Sequence, residues 1–295
     1  MRELIQIIRF PFLLDYFSFL RLSPMFSTDE RSDAQTIQEA LSRCESASQR
    51  FLAVAGQALA TSYPNVCFDR YYKAIEAAAA TSPPPFCKRS YNNIYQYLAK
   101  NPRWLAISLM ANAQREGQGS TDLWSLAACA KSFKEQKLLK KHAIDESRHS
   151  QMYLSLLDLN FPGLVETSFR KEMNAFSPGF NESKTPEACE ESAYAKDPSL
   201  DDYVQINIAE IRTTFHHLMQ RQALSKHCPP GNVISSSSVL DALLRDELNH
   251  VAYTAQMIEA NSSCIPQDKL NILVTKRLVD FNKITEEELK SLSLQ

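Results

Sequence analysis

The chain has 295 residues, of which 44% are hydrophobic and 22% are charged, and its formal net charge is -2 at pH 7. This composition can bury a sizeable core, as one large domain or two small ones, and it argues against fibrous or wholly disordered character. Acidic and basic residues are interspersed, so no long Lys/Arg stripe is available to neutralise the phosphates of a nucleic acid.

Glycine and cysteine usage narrow the choice of cofactor and compartment. The sequence has six glycines and contains neither a G-x-G-x-x-G motif nor a P-loop, so any redox chemistry needs a cofactor other than a dinucleotide. Its seven cysteines are scattered, without paired C-x-x-C spacing. This pattern is typical of reduced thiols and predicts a cytoplasmic protein.

The first 26 residues, "MRELIQIIRFPFLLDYFSFLRLSPMF", are rich in apolar side chains. Arg9, Pro11, Asp15 and Arg21 interrupt every run long enough to span a bilayer, and no small-residue cleavage site follows. We therefore expect this segment to dock on the protein's own core or on a partner subunit, as in a homodimer, with weak membrane association as the alternative.

The apolar residues recur at helical spacing along nearly the whole chain, which predicts an all-α protein. One helix is expected over 27–59, opened by Ser27 or Thr28, and "TSPPPF" at 81–86 breaks the chain before a further helix from Ser90. Asn101 as N-cap and Pro102 then start a long helix that carries Glu116. Its "EGQGS" stretch predicts local unwinding or a π-bulge.

Three more long helices follow and complete the predicted architecture. The first covers about 133–160 and ends at Pro162-Gly163, and a polar surface crossover over 177–202 leads to a helix over about 203–226 that stops at "CPPGN". The next helix follows the "SSSS" run and ends at "SSCIP", and a final helix has "TEEE" in its first turn. We expect a single domain with an N-terminal helical extension (1–89), a four-helix core (90–262) and a C-terminal helix (263–295).

Two of these long helices carry the same short motif. Glu146 and His149 are three residues apart, as are Glu247 and His250, and each glutamate follows an aspartate. Residues three apart lie on one face of a helix, so each pair can approach one metal ion. A single Glu-x-x-His is more often a solvated pair, but two copies are much rarer.

Each copy also follows another glutamate at the distance of a helical hairpin. Glu116 precedes Glu146 by 30 residues, and Glu210 precedes Glu247 by 37 residues. Folding each segment about its midpoint, near Lys131 and at "CPPGN", brings the carboxylates together. Four helices then deliver four carboxylates and two imidazoles to one interior point, which is the ligand set of a di-iron or di-manganese carboxylate site.

At these six positions the sequence resembles the ferritin-like superfamily, over residues of about 102–262. The "DESRH" stretch, preceded by Glu116, resembles the hydroxylase subunits of bacterial multicomponent monooxygenases, although Asn249 stands before the second histidine where an Arg is commoner. The resemblance implies a ferritin-like four-helix bundle, two bound iron ions (or one manganese and one iron) and dioxygen as co-substrate. Because no flavin or nicotinamide motif is present, an external reductase or ferredoxin would supply electrons.

Further residues gain a possible role from the resemblance. Asp145 is expected to accept a hydrogen bond from His250 and Asp246 from His149, with surface salt bridges as the alternative. Thr214 resembles the threonine on the oxygen-binding side of monooxygenase hydroxylases, or it forms a plain helix-backbone hydrogen bond. Tyr153 has the spacing of the radical tyrosine of the ribonucleotide reductase small subunit, or it simply packs.

Two more histidines fall on stripes that face the predicted site. His142 and His217 could each be an extra ligand, as in the arylamine N-oxygenases of the same superfamily, or a supporting or ordinary histidine. The leading hypothesis is a non-haem di-iron enzyme that hydroxylates, N-oxygenates or desaturates a small organic substrate. The alternatives are a radical protein like the ribonucleotide reductase small subunit, a ferritin-like iron store and a metal-free helical scaffold.

Overall fold

The computed structural model describes residues 32–293, which form ten α-helices and no strand. This confirms the all-α prediction, while the expectations for residues 1–26, Ser27 and Thr28 lie outside the described residues. The helices are α1 (Asp33–Ser42), α2 (Ala47–Ser62), α3 (Asp69–Thr81), α4 (Arg89–Leu98), α5 (Pro102–Cys129), α6 (Phe133–Asn160), α7 (Thr167–Phe176), α8 (Leu200–Leu224), α9 (Val233–Asn261) and α10 (Gln267–Ser293). Within 32–293, no helix has the length and apolar character needed to cross a membrane.

Four long helices form the centre of the molecule. α5 packs along α6, α8 packs along α9, and α6 packs against α9. The Asn101 side chain accepts a hydrogen bond from the backbone N–H of Arg103 at 3.0 Å, so the predicted N-cap and the proline start of α5 are confirmed. The predicted turn near Lys131 is also confirmed, because α5 ends at Cys129 and α6 begins at Phe133.

The other helices lie mainly on the side of α8 and α9. α2 packs against α9, α10 packs against α3 and α8, and α4 packs against α8. α5, by contrast, contacts the short helix α7. All seven cysteines are free, in line with the prediction of reduced thiols.

The prediction of one continuous helix over 27–59 is wrong, because the chain turns between α1 and α2. Ser46 caps α2 by accepting a hydrogen bond from the Gln49 backbone N–H, and the Gln49 side chain accepts one from the Ser46 backbone in return. This reciprocal capping box satisfies two backbone donors that a helix start leaves free. The "SASQ" sequence at 46–49 carries that signal.

The predicted unwinding at "EGQGS" is also wrong, since α5 is helical throughout. A glycine costs about 1 kcal/mol relative to alanine inside a helix. Packing along α6 offsets that cost: the Ser120 hydroxyl donates to the Ala143 carbonyl at 2.6 Å, next to the glycines. Tertiary contacts therefore override local propensity at this point.

Two helix starts differ from their predicted positions. The "SSSS" run lies inside α9, where the Ser238 hydroxyl donates to the Ile234 carbonyl and Ser236 is buried against Asn160. The "TEEE" run lies in the second half of α10, where Glu288 pairs with Arg212 of α8 at 2.6 Å. Ser236 and Glu288 therefore have side-chain partners on neighbouring helices at these positions.

Candidate metal centre

The six predicted metal ligands lie together in the interior, between the four central helices. α5 supplies Glu116, α6 supplies Glu146 and His149, α8 supplies Glu210, and α9 supplies Glu247 and His250. His149 and Glu247 are fully buried, and Glu116 is the most accessible of the set. The two Glu-x-x-His motifs thus meet across the α6–α9 contact.

Donor atoms in this cluster form two groups, and each group could hold a metal ion. The first group is His142, Glu146, Glu210 and His250, and the second is Glu116, Glu146, His149 and Glu247. Within each group, one donor atom per residue lies within 4.8 Å of all the others. Glu146 belongs to both groups, so it would be a ligand available to either metal ion.

Glu247 connects the two groups in a similar way. Its Oε1 lies 3.3 Å from His149 Nδ1, while its Oε2 lies 3.3 Å from His250 Nδ1. His250 Nδ1 is also 3.4 Å from Glu146 Oε1. Both imidazoles therefore present the same ring nitrogen, Nδ1, to the centre of the cluster.

The outward nitrogens of these two rings face aspartates on the opposite helix. His149 Nε2 lies 3.1 Å from Asp246 Oδ2, and His250 Nε2 lies 3.4 Å from Asp145 Oδ2. The Arg148 guanidinium donates to both aspartates, at 2.9 Å to Asp145 and 2.5 Å to Asp246. An aspartate that accepts a hydrogen bond from Nε2–H would hold each ring in the tautomer that leaves Nδ1 free to bind a metal ion.

The two additional histidines occupy different positions. His142 belongs to the first donor group: its Nε2 lies 3.1 Å from Glu146 Oε1 and 3.3 Å from Glu210 Oε1. Its Nδ1 is 2.7 Å from the Tyr253 hydroxyl, which orients the ring. His217 contacts the cluster only through Glu247, with Nε2 3.2 Å from Oε1, and it belongs to neither group.

Thr214 and Tyr153 are both buried next to the cluster. The Thr214 hydroxyl donates to the Glu210 carbonyl at 2.9 Å, which is the helix-backbone bond named as its alternative role. The Tyr153 hydroxyl donates to Gln220 Oε1 at 3.3 Å, and its ring stacks on His217 with centroids 5.9 Å apart. Tyr153 thus makes ordinary packing contacts and also touches a histidine that contacts Glu247.

Burial and mutual charge perturb the acids of the cluster strongly. Burial and the neighbouring Glu146 carboxylate raise the pKa of Glu116 well above its ordinary value, and burial and Glu247 raise the pKa of Glu210 to about 8. Burial acts in the same sense on Glu247, yet the neighbouring imidazoles of three histidines hold its pKa well below the ordinary value. Without metal ions, the cluster therefore retains protons that metal binding would displace.

These residues fit a pair of divalent metal ions. At an effective dielectric constant near 20, two unit charges about 4 Å apart repel each other by roughly 4 kcal/mol, and four glutamates crowd this interior. Burial alone would lower the pKa of His149, but Glu146 and Asp246 raise it well above its ordinary value, so this imidazole offsets part of the repulsion in the metal-free chain. The buried Nδ1 of His149 also has no hydrogen-bond partner, so a cation bound there would satisfy both the carboxylates and this nitrogen.

A cavity of about 250 Å³ opens onto the cluster between α5 and α8. Glu116, Glu146 and Glu210 form its inner end, so members of both donor groups face it. Its outer walls combine polar and apolar side chains, including Asn112, Arg115, Leu123, Gln205, Ile206 and Ala209. Thr213, rather than Thr214, is the threonine that lines this cavity.

Two supporting residues are absent from the sequence-based candidates. Tyr253 follows His250 by three residues, so helical spacing places it on the same face, but a tyrosine there is usually packing. Arg148 lies inside the "DESRH" stretch, and its bridge between two helices depends on the tertiary fold.

Comparison of the chain with protein-family models, curated proteins and solved structures found no match.

Proposed function

We propose that this chain is a non-haem di-iron enzyme of ferritin-like architecture that uses dioxygen to oxidise a small organic substrate. The observation that carries the proposal is the pair of donor groups that share Glu146 at the inner end of a cavity. One glutamate from each of two helices and one Glu-x-x-His from each of two others form the ligand pattern of ferritin-like di-iron and di-manganese proteins. An iron pair and a manganese–iron pair both suit these ligands.

The metal pair would be held by the two donor groups, with His142 as a third imidazole in the first group. When bound, two redox-active ions supply the electrons for dioxygen activation, and an external reductase or ferredoxin restores them. Asp145 and Asp246 orient the two ligand imidazoles through their Nε2 atoms. Neutral imidazoles complete the coordination without adding charge to the four carboxylates.

The cavity suits a small substrate that reaches the cluster from one side. Glu116 and Glu210 lie at its inner end, while the α6–α9 side of the cluster is closed by buried side chains. A substrate in the cavity would displace water from the metal-facing end and would lie against Leu123 and Ile206. Hydroxylation, N-oxygenation and desaturation each require an organic substrate held next to the metal ligands, and the cavity offers such a position.

The three alternative functions are a metal-free scaffold, a radical protein and an iron store, and features of the structure bear on each. A metal-free scaffold gives no reason for four glutamates in one interior cluster, where burial and neighbouring carboxylates raise the pKa of Glu116 and Glu210. A radical protein would use Tyr153, which lies beside the cluster but also makes ordinary packing contacts. An iron store needs assembly into a shell, and the helices packed outside α5, α6, α8 and α9 make the chain bulkier than a simple bundle.

Oxygen consumption distinguishes the enzyme from the store and the radical protein. The protein is loaded anaerobically with Fe(II), reduced by a chemical donor and mixed with dioxygen in the presence of a panel of small amines, phenols and alkanes. The proposal predicts oxygen uptake in proportion to the electrons supplied, product formation with at least one substrate class, and an unchanged metal content. Many irons per chain in a mineral core would show a store, and a stable tyrosyl radical lost in Tyr153→Phe would show a radical protein.

A further inference from the structure

A second and larger cleft, of about 450 Å³, lies between α1, α2, α4 and α8, away from the metal-donor cluster. None of its lining residues belongs to either donor group. Phe215 and Met219 line it from α8, while Glu210 and His217 of the same helix face the cluster. The two cavities are therefore on different faces of α8 and can be occupied independently.

The charged side chains that line this cleft are all basic. They are Arg50 from α2 and Lys88 and Arg89 at the start of α4, and no aspartate or glutamate is among the described lining residues. The Arg50 guanidinium lies over the Phe215 ring, 5.8 Å from its centroid, and its buried Nε has no hydrogen-bond partner. Burial lowers the pKa of Arg50; the nearby Cys87 thiol acts in the opposite direction, and the positive charge of Arg89 acts in the same direction as burial.

Arg89 is also available for a ligand. Its side chain is exposed, and its Nη2 makes one long hydrogen bond, 3.4 Å, to the Cys44 carbonyl. No carboxylate is among the described lining residues, so an anion bound in the cleft would supply a counter-charge to both arginines. The start of α4 has no side-chain cap, so its free N–H groups add to the positive potential of this cleft.

The rest of the cleft suits the organic part of a ligand. The Asn92 and Asn93 side chains offer amide donors, and the Phe86 and Phe215 rings, 6.2 Å apart between centroids, form an apolar wall. A volume of about 450 Å³ is within the range of small-molecule sites. The combination of basic, amide and aromatic groups is typical of pockets that bind organic anions.

We propose that this cleft binds a small organic phosphate, with the phosphate between Arg50 and Arg89 and the organic group against Phe215. Planar guanidinium groups pair with two phosphate oxygens at once, which gives the strongest hydrogen bonds available to these side chains. A phosphate monoester carries a charge of about -1.5 to -2 at pH 7 and so balances most of the three basic residues, whereas a carboxylate carries only one charge. This site goes beyond the proposed oxidative function and does not depend on it.

Calorimetric titration of the full chain with phenyl phosphate tests the site, with benzoate and phenol as companion ligands at one ionic strength. We expect one phenyl phosphate per chain, weaker binding of benzoate and no detectable binding of phenol. Arg50→Gln and Arg89→Gln should each raise Kd roughly tenfold or more, because each removes charge-assisted hydrogen bonds. Arg50→Lys should lie between wild type and Arg50→Gln, since it keeps the charge and loses the planar fork.

Two matched arginine variants serve as controls. Arg103→Gln changes an exposed arginine outside both cavities, and Arg115→Gln changes one of the two arginines that line the cavity beside the metal-donor cluster. Both should leave the Kd for phenyl phosphate unchanged. Because Arg89 is exposed, Arg89→Gln should keep the circular dichroism spectrum and unfolding midpoint of the wild type. The proposal is overturned if phenyl phosphate does not bind, if benzoate binds as tightly, or if Arg115→Gln weakens binding while Arg50→Gln does not.

Discussion

Replacing Glu210 by Gln should stabilise the metal-free protein. Burial and the Glu247 carboxylate raise the pKa of Glu210 from 4.5 to about 8, so at pH 7 this carboxyl is protonated in the folded chain and ionised in the unfolded chain. The roughly 2.5 pH units between the unfolded pKa and pH 7, at about 1.4 kcal/mol per unit, correspond to about 3 to 4 kcal/mol of lost stability. Glutamine has nearly the same shape, cannot ionise and avoids this cost.

The sign of the effect fixes its pH dependence. A raised folded-state pKa means that the contribution of Glu210 is fully present below pH 4.5 and is lost as the pH rises through about 8. The stability advantage of Glu210→Gln should therefore be small near pH 4.5, reach about 3 to 4 kcal/mol at pH 7, and level off only above pH 8. The same variant should be less stable than wild type after metal loading, because it removes one carboxylate donor from the first group.

Urea unfolding in the presence of a chelator, followed by circular dichroism between pH 4.5 and 8.5, measures this advantage. Glu76→Gln is the matched control, since Glu76 is exposed on α3 and its replacement should change stability by less than about 0.5 kcal/mol at any pH. A metal-free Glu210→Gln protein that is less stable than wild type at every pH would refute the reasoning. So would an advantage that does not change with pH.

Two further variants separate metal binding from substrate access. Asp246→Asn removes the charged acceptor of His149 Nε2 and should weaken metal retention against a chelator roughly 10- to 100-fold, whereas Asp241→Asn on the same helix, which pairs with Arg221 at the surface, should not. Equal metal loss from both would contradict an orienting role. Ala209→Phe fills the cavity wall and should lower oxidation of added substrates with unchanged metal content; unchanged turnover would place the substrate elsewhere.

The central helices could be predicted because several local signals agreed. Asn101 and Pro102 define the start of α5, and proline- and glycine-containing stretches end α6 and α8 near their predicted positions. The wrong predictions lie where a single local signal in the sequence conflicts with another signal or with tertiary packing. The glycines of "EGQGS" indicated a break, but contact with α6 keeps the helix regular, and the Ser46 capping box divides what reads as one continuous helix.

The convergence of the donor residues could be predicted for a different reason. Glu116, Glu146, Glu210 and Glu247 are spaced so that two helical hairpins bring their carboxylates to the same height, and the Glu-x-x-His pairs fix which faces meet. The sequence could not predict that Glu146 is the residue shared by both donor groups, because sharing depends on side-chain positions across three helices. Nor could it separate His142 from His217, which lie on equally plausible stripes.

The two cavities could not be predicted from the sequence for the same reason, because they depend on side-chain positions across several helices. Residues that line a pocket on a long helix have the periodicity of core residues, so Ala209 and Leu123 cannot be recognised as wall residues from their spacing. The basic cleft combines Arg50 and Arg89, which lie on different helices and are 39 residues apart in the sequence. Tertiary packing alone brings these two arginines into one cleft.

Metal content after anaerobic reconstitution tests the central claim most directly. The full chain is stripped with a chelator, incubated with excess Fe(II) without oxygen, desalted and analysed for iron and protein. The two donor groups predict about two irons per chain, about one in Glu210→Gln and fewer than one in Glu146→Gln, since Glu146 serves both groups. A wild-type chain that retains no metal, or a Glu146→Gln variant that still binds two irons, would contradict the dinuclear centre.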